Sequence, residues 1–183
     1  MTTHGLPPLP ADVAVLLREL DAPPGLVAHL ALVHAVAEEI AGFCAREGLV
    51  FEREAVRYGA ATHDIGRTVH VEERSAPGSR HEAAGYALLR ARGVPERLAA
   101  FGRTHASRRE PGVTTESLPV SLADKAWKNR RVRSLEDPVV ERLAAGGRER
   151  WEAFLAPDDL LTRIAEDAPG RLALQGAHSA RTG

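Results

Sequence analysis

The sequence predicts an all-α fold, and two features of the residue pattern carry this prediction. Apolar residues recur at three- and four-residue intervals in a series of segments, which is the period of an amphipathic helix. No segment of any length alternates apolar and polar residues as a half-buried strand would. Proline and glycine mark the breaks between the periodic segments, where helices typically begin and end.

The predicted helices follow one another along nearly the whole chain. The longest opens after Pro23 and Pro24 and closes at Gly48, and a proline start with a glycine end is typical of a helix. Two stretches, 67–80 and 109–116, lack a period and contain proline and glycine, so we expect loops there. The predicted helical ranges are 11–20, 25–48, 52–64, 81–92, 95–108, 117–131, 134–145, 148–155 and 158–167.

The length of 183 residues suits one domain with a substantial core. No stretch is rich enough in proline, glycine or serine to mark a boundary between two domains. We expect four parts: an N-terminal helix and linker at 1–24, a central unit at 25–131, a helical extension of the same domain at 132–175 and a flexible tail at 176–183.

Composition and charge argue against several classes of function. Hydrophobic residues make up 44% and charged residues 27%, and the net charge is −1, so the basic excess of a nucleic-acid or membrane-surface binder is missing. Cys44 is the only cysteine, which excludes a disulfide within the chain and fits a reducing compartment. The start, MTTHGLPPLP, does not resemble a signal peptide, and no apolar run approaches the roughly 20 residues that span a bilayer. We therefore expect a cytoplasmic protein without membrane association.

Histidines and aspartates fall on the apolar faces of several predicted helices. On the longest helix, His34 lies on the apolar stripe and His29 lies off it, so we expect His34 to point inward and His29 to be exposed. His63 continues the inward face of the third helix, and Asp64 lies about 100° further round. The inward set comprises His34, His63, His81, His105 and Asp124, with Asp64 beside it. The remaining histidines, which we expect to be solvated, are His4, His70 and His178.

This set of residues predicts a metal site. A single inward histidine is more often a satisfied core residue, but four histidines and two aspartates on inward faces are hard to bury otherwise. A buried carboxylate costs several kcal/mol unless it is paired, and the sequence shows no matching inward lysines or arginines. A divalent cation neutralises the carboxylates and binds neutral imidazoles, and such a nitrogen and oxygen site suits Mn, Fe, Co, Ni or Zn.

The same residues resemble the pattern of the HD-domain superfamily of metal-dependent phosphohydrolases. That pattern is a histidine, an adjacent His-Asp pair and a distant aspartate, which here look like His34, His63, Asp64 and Asp124. The stretch AATHDIGR resembles the HDIG variant of the family, and SLADKAW resembles the usual setting of the last aspartate. The resemblance covers roughly residues 25–130.

The resemblance implies a helical bundle with the metal site at its centre, further helices after it, and one or two divalent transition metal ions. The implied activity is hydrolysis of a phosphate ester, such as a nucleotide or another small phosphorylated metabolite, by metal-activated water. Because adjacent residues on a straight helix cannot face one point, we expect the backbone to turn after the His-Asp pair, where Gly66 allows it. The implied ligands are His34, His63 and Asp124 for one ion, His81 and His105 for a second, and Asp64 as the bridge.

Two basic residues beside the implied ligands are candidates for holding phosphate. Arg67 follows the His-Asp pair by three residues, and Lys125 follows the last aspartate. For Arg67 a solvated loop charge is an equal alternative, and for Lys125 a surface lysine is the slightly favoured one. The catalytic candidates are therefore Asp64, Arg67 and Lys125.

Two other functions remain open within the resemblance. A few members of the superfamily use a di-iron pair and oxygen to cleave carbon–phosphorus or carbon–carbon bonds, although we identify no counterpart here of their substrate-lid residues. A domain that has lost its metal would be a binding or regulatory module, although the full set of ligand positions argues against this.

Overall fold

The prediction of an all-α fold is confirmed. The computed structural model describes residues 5–74, 76–104 and 114–180, and every regular element in these ranges is helical. Two short 3-10 helices, Ile65–Thr68 and Val71–Arg74, occupy much of the predicted loop at 67–80. The α-helices are α1 (Ala11–Glu19), α2 (Pro24–Arg46), α3 (Arg53–Thr62), α4 (Arg80–Ala91), α5 (Glu96–Ala99), α6 (Phe101–Thr104), α7 (Ser117–Ala126), α8 (Arg133–Ala145), α9 (Arg150–Glu166) and α10 (Ala168–Ser179).

The helix α2 runs through the centre of the molecule. It packs against α3, α7 and α10, and 14 of its 23 residues are buried, so it is enclosed on most of its sides. Pro24 lies in its first turn, where the missing N–H has no helical partner to lose. Gly48 follows its end with φ of 84°, a conformation that glycine adopts without steric strain.

Two apolar clusters enclose the region of the predicted site. The smaller cluster includes Leu30, next to His29 on α2, and Ala61 and Ile65, which flank His63 and Asp64 at the end of α3. The larger cluster includes Val33 and Ala123 and continues into α8 and α9. The polar side chains of the site therefore lie at the boundary between two apolar cores.

By length and composition, α2 is also apolar enough to cross a membrane, which contradicts the expectation that no run approaches that length. However, 72% of its most apolar window is buried inside the domain. This burial favours a core helix, since a core helix of a large domain passes the same test of length and composition.

The structure corrects two predictions about the C-terminal region. Residues 148–155 and 158–167 form not two helices but one, α9, with Pro157 inside it. Proline weakens a helix by removing one hydrogen bond, but here Leu160, Leu161 and Ile164 are buried on the same helix, and their packing outweighs that loss.

The predicted flexible tail at 176–183 is helical as far as Ser179, at the end of α10. Arg171 anchors this helix by donating hydrogen bonds to the backbone carbonyls of Trp127 (2.8 Å) and Ile164. His178 is only 4% exposed, so the expectation of a solvated side chain is wrong. The small and polar residues of α10 do not predict a helix, and tertiary contacts such as that of Arg171 stabilise it.

Candidate metal centre

Three buried side chains converge between α2 and the end of α3. His29, His63 and Asp64 each offer one ligand atom, and these atoms lie within 4.8 Å of one another. Oδ2 of Asp64 lies 3.3 Å from Nε2 of His29 and 3.9 Å from Nε2 of His63. Two imidazoles and a carboxylate at this separation form a donor set that can hold a divalent metal ion.

The end of α3 explains how adjacent residues reach the same point. α3 ends at Thr62, His63 keeps helical angles, and Asp64 departs from them with φ of −107° and ψ of 14°. The backbone turn therefore lies at Asp64 itself and not at Gly66, where we expected it. A 3-10 helix begins at Ile65, directly after the turn.

The orientation of the His63 ring is fixed by the backbone of its own helix. Nδ1 of His63 lies 2.9 Å from the carbonyl oxygen of Ala60. A carbonyl oxygen only accepts hydrogen bonds, so Nδ1 carries the proton and donates it. When the ring is neutral, the other nitrogen, Nε2, has the lone pair and faces the cluster, as a histidine that binds metal requires.

Asp124 on α7 approaches the same histidines from the other side. Its Oδ1 lies 3.8 Å from Nε2 of His63 and 3.9 Å from Nε2 of His29. Burial raises the pKa of this carboxyl, but the hydrogen bond and charge of His63 and the charge of Lys125 lower it by more, so its pKa falls well below the ordinary range. The structure thus brings Asp124 to the predicted site as a carboxylate.

Burial and the carboxylates act in opposite directions on the two histidines. Burial lowers the pKa of His29 by more than Asp64 raises it, so the ring is held neutral, which is the form that binds a metal. Burial also lowers the pKa of His63. The charge of Asp64 and the hydrogen bond to Asp124 raise this pKa by a larger amount, so the net shift is upward.

His81 reaches the cluster from α4. Its Nε2 lies 3.1 Å from Oδ1 of Asp64, the oxygen that the other two histidines do not approach in the contacts above. Its Nδ1 lies 2.6 Å from Oε2 of Glu73, a buried carboxylate on the second 3-10 helix. Asp64 therefore lies between imidazoles on two sides.

Gly66 brings α4 close enough for this contact. A Cβ atom at residue 66 would overlap the carbonyl oxygen of His81 and come within 2.5 Å of the backbone nitrogen of Gly85. Only glycine permits such a close approach of two backbones. Gly66 is thus required for the packing of α4 against the 3-10 helix, and not for the backbone turn after α3.

The structure corrects the prediction for the longest helix. His29, expected to be exposed, is 8% exposed and lies in the cluster. His34 is also buried, but its electrostatic neighbours are Glu38, Arg57 and Glu54, not the residues of the cluster. Because α2 is buried on most of its sides, both histidines are buried, and the apolar stripe does not show which of them faces the site.

Arg67 and Lys125 lie at the site, but they also pair with its aspartates. Nε of Arg67 lies 2.7 Å from Oδ2 of Asp64, and Nζ of Lys125 contacts Oδ2 of Asp124. The expectation that the buried aspartates have no basic partners is therefore wrong. Both side chains are 25% exposed, so each reaches from the cluster to solvent.

Glu73, like His29, is a residue of the site that sequence reasoning missed. Nothing in its surroundings gives a signal, because it lies in an aperiodic stretch beside other charged residues. His105, predicted as a ligand, lies outside the described residues. His70, expected to be solvated, lies in the loop with its Nδ1 3.3 Å from Oε1 of Glu72.

An open cleft of about 330 Å³ leads to the cluster. His29, Asp64, His81 and Asp124 line it, and Gln175 adds a side chain from α10. The basic residues on its walls are Arg67, Arg74, Lys125 and Lys128. The cleft is also lined by the carboxylates of Asp64, Glu82 and Asp124, so its four basic residues leave a small positive excess that favours an anionic ligand.

Comparison of the chain with models of protein families, with curated proteins and with solved structures finds no match.

Proposed function

We propose that the protein is a metal-dependent phosphohydrolase that acts on a nucleotide or another small phosphorylated metabolite. The observation that carries this proposal is the buried group of His29, His63 and Asp64, of which His29 and Asp64 line a cleft that also holds four basic residues. Neutral imidazoles and a carboxylate are donors that divalent transition metals bind, and phosphate is an anion that the walls attract.

The donor set fits a cation on the chemistry of its side chains. The hydrogen bond to Ala60 aims Nε2 of His63 into the cluster, and Asp64 and Asp124 supply the negative charge that a cation requires. A divalent ion held there would lower the pKa of a coordinated water from about 15.7 toward roughly 7 and withdraw charge from phosphate oxygens.

Arg67 and Lys125 are suited to orient the phosphate group. Each lies beside one aspartate of the cluster and extends into the cleft. The guanidinium of Arg67 faces Asp64 through Nε and donates from Nη1 to the backbone carbonyl of Glu73, so the N–H groups of Nη2 are the ones suited to bind a phosphate oxygen. The ammonium of Lys125 offers three donors without a fixed direction.

In this proposal the chain is an HD-domain protein in which His29 takes the place that the sequence pattern suggested for His34. Support comes from the pairing of His29 with the His63-Asp64 turn and from Asp124 on the far side. His81 supports a second ion, because it lies at the opposite oxygen of Asp64.

One observation favours a second candidate, a binding module that works without metal. Arg67 and Lys125 compensate the charges of Asp64 and Asp124, so neither buried carboxylate needs a metal ion for its neutralisation. Such a module would bind a phosphorylated ligand in the same cleft without hydrolysing it.

A screen of phosphate esters separates the two candidates. Protein loaded with Mn, Fe, Co, Ni or Zn should release phosphate from at least one ester, and His63→Ala should abolish this turnover. Hydrolysis that persists in His63→Ala or in the presence of a chelator would contradict the proposal. Binding of esters without turnover under every metal would favour the module.

A further inference from the structure

Glu73 is a buried carboxylate next to the site that the proposed mechanism does not use. It is 4% exposed, whereas its neighbours Glu72 and Arg74 are exposed. Its Oε2 lies 2.6 Å from Nδ1 of His81, which is also buried. A carboxylate is rarely buried unless it is paired, so the partners of Glu73 account for its burial.

The chain folds tightly around this carboxylate. Oε1 and Oε2 accept hydrogen bonds of 3.1 Å from the backbone N–H groups of Arg80 and His81, at the start of α4. A Cβ atom at Gly78 would come within 2.3 Å of Oε1, so the segment packs directly against the Glu73 side chain. These two backbone hydrogen bonds are enough to fix Glu73 and to cap α4, so capping does not explain the contact with the His81 ring.

The contact with the His81 ring has a further consequence. Glu73 and Asp64 are both carboxylates, which only accept, so a protonated His81 ring donates to each of them. When the ring is neutral, the shorter contact, 2.6 Å to Glu73 against 3.1 Å to Asp64, keeps the proton on Nδ1, and Nε2 then presents its lone pair toward Asp64. We infer that Glu73 is a positioning residue that fixes the tautomer and direction of His81, so that His81 can bind a cation held at Asp64. The inference rests on the proposed function.

The same relationship recurs at His63, with a different acceptor. The carbonyl of Ala60 fixes Nδ1 of His63, as Glu73 fixes Nδ1 of His81. The two imidazoles then present Nε2 toward different oxygens of Asp64. A carboxylate behind a metal-binding histidine also makes the imidazole a stronger donor than a carbonyl does.

Nitrogen NMR of the metal-free protein tests the tautomer directly, at an alkaline pH where the His81 ring is neutral. In the wild type, Nδ1 should carry the proton. In Glu73→Ala the proton should move to Nε2 and be donated to Asp64, while Glu73→Gln, which keeps an acceptor oxygen, should restore the wild-type pattern. Glu72→Gln, at the exposed neighbouring carboxylate, serves as the matched control. A role confined to capping α4 would change the melting temperature and leave the tautomer alone.

The wild-type spectrum alone overturns the inference if Nε2 carries the proton, even where Glu73→Ala fails to fold. Titration with cobalt then links the tautomer to metal binding. Glu73→Ala should weaken one of two cobalt-binding steps by about 10- to 100-fold and leave the other unchanged. Equal affinities in Glu73→Ala and Glu72→Gln would overturn the inference while the proposed function stands. A wild type that binds no cobalt would overturn the proposed function, and the tautomer measurement would still decide the role of Glu73.

Discussion

Nε2 of His29 lies 3.3 Å from Oδ2 of Asp64, across the gap between α2 and the end of α3. The contact decides which histidine of α2 serves the site. His29 and His34 are five residues apart, which on an α-helix separates their directions by about 140° and their positions by about 7.5 Å. The two side chains therefore cannot serve the same cluster, and the contact with Asp64 assigns it to His29.

Replacement of Arg67 should separate phosphate binding from metal binding. Arg67→Ala should keep the metal, or bind it more tightly, because a positive charge 2.7 Å from Asp64 is removed. Turnover should fall by roughly 10²-fold or more if the guanidinium stabilises transition-state charge. Arg67→Lys should recover part of the rate, since a point charge lacks the fork. Metal analysis together with kinetics on an active ester checks both, and wild-type turnover in Arg67→Ala would show that the guanidinium does not act on the phosphate.

Gly66→Ala should destabilise the protein by about 1–3 kcal/mol, the typical effect of overpacking. The added methyl group would overlap the backbone of His81 and push α4 away from the His-Asp turn. Thermal unfolding measures the loss, and Gly170→Ala, where a methyl group meets nothing within 4 Å, is the matched control. A melting temperature for Gly66→Ala equal to that of the control would mean that α4 packs differently from this arrangement.

Much of the fold follows from the sequence because its helices are punctuated by proline and glycine. Pro23, Pro24 and Gly48 place the limits of α2 to within two residues of those observed. The misplaced elements are those where packing overrides local preference, such as the continuous helix through Pro157. Docking of α10 through Arg171 is likewise a tertiary contact that no local pattern encodes.

The candidate site was predictable in part. His63 and Asp64 could be predicted because His63 continues the inward face of the third predicted helix, with Asp64 next to it, and other helices carry inward histidines and an aspartate. His29 was missed because α2 is buried on most sides, so an apolar stripe gives no unique direction for the site. Glu73 was missed because a loop has no periodicity from which its burial can be inferred.

Cys44 should be unreactive in the folded protein. Burial raises the pKa of its thiol to about 11, so little thiolate forms at neutral pH. Since the folded pKa exceeds the unfolded value, this group contributes stability below pH 9.0 that is lost as the pH rises toward about 11. Labelling with a thiol reagent should accelerate over that range. Rapid labelling at neutral pH without unfolding would contradict the buried position.

Arg171→Ala should release α10 from the core. Its guanidinium donates hydrogen bonds to two backbone carbonyls, and such charged hydrogen bonds contribute about 1.5–3 kcal/mol when partly buried. Hydrogen exchange of the α10 amides should accelerate markedly. Arg163→Ala, on the exposed side of α9, should leave that exchange unchanged. Equal protection of α10 in both variants would refute the anchoring role.

The most direct measurement of the central claim is the metal content of protein purified without chelator, compared among the wild type, His29→Ala and His34→Ala. The wild type and His34→Ala should each carry about one or two ions per chain, while His29→Ala should lose metal because it lacks a ligand of the cluster. Two results would contradict the claim. One is metal loss in His34→Ala with full retention in His29→Ala, and the other is a wild type with less than about half an ion per chain that takes up none on reconstitution.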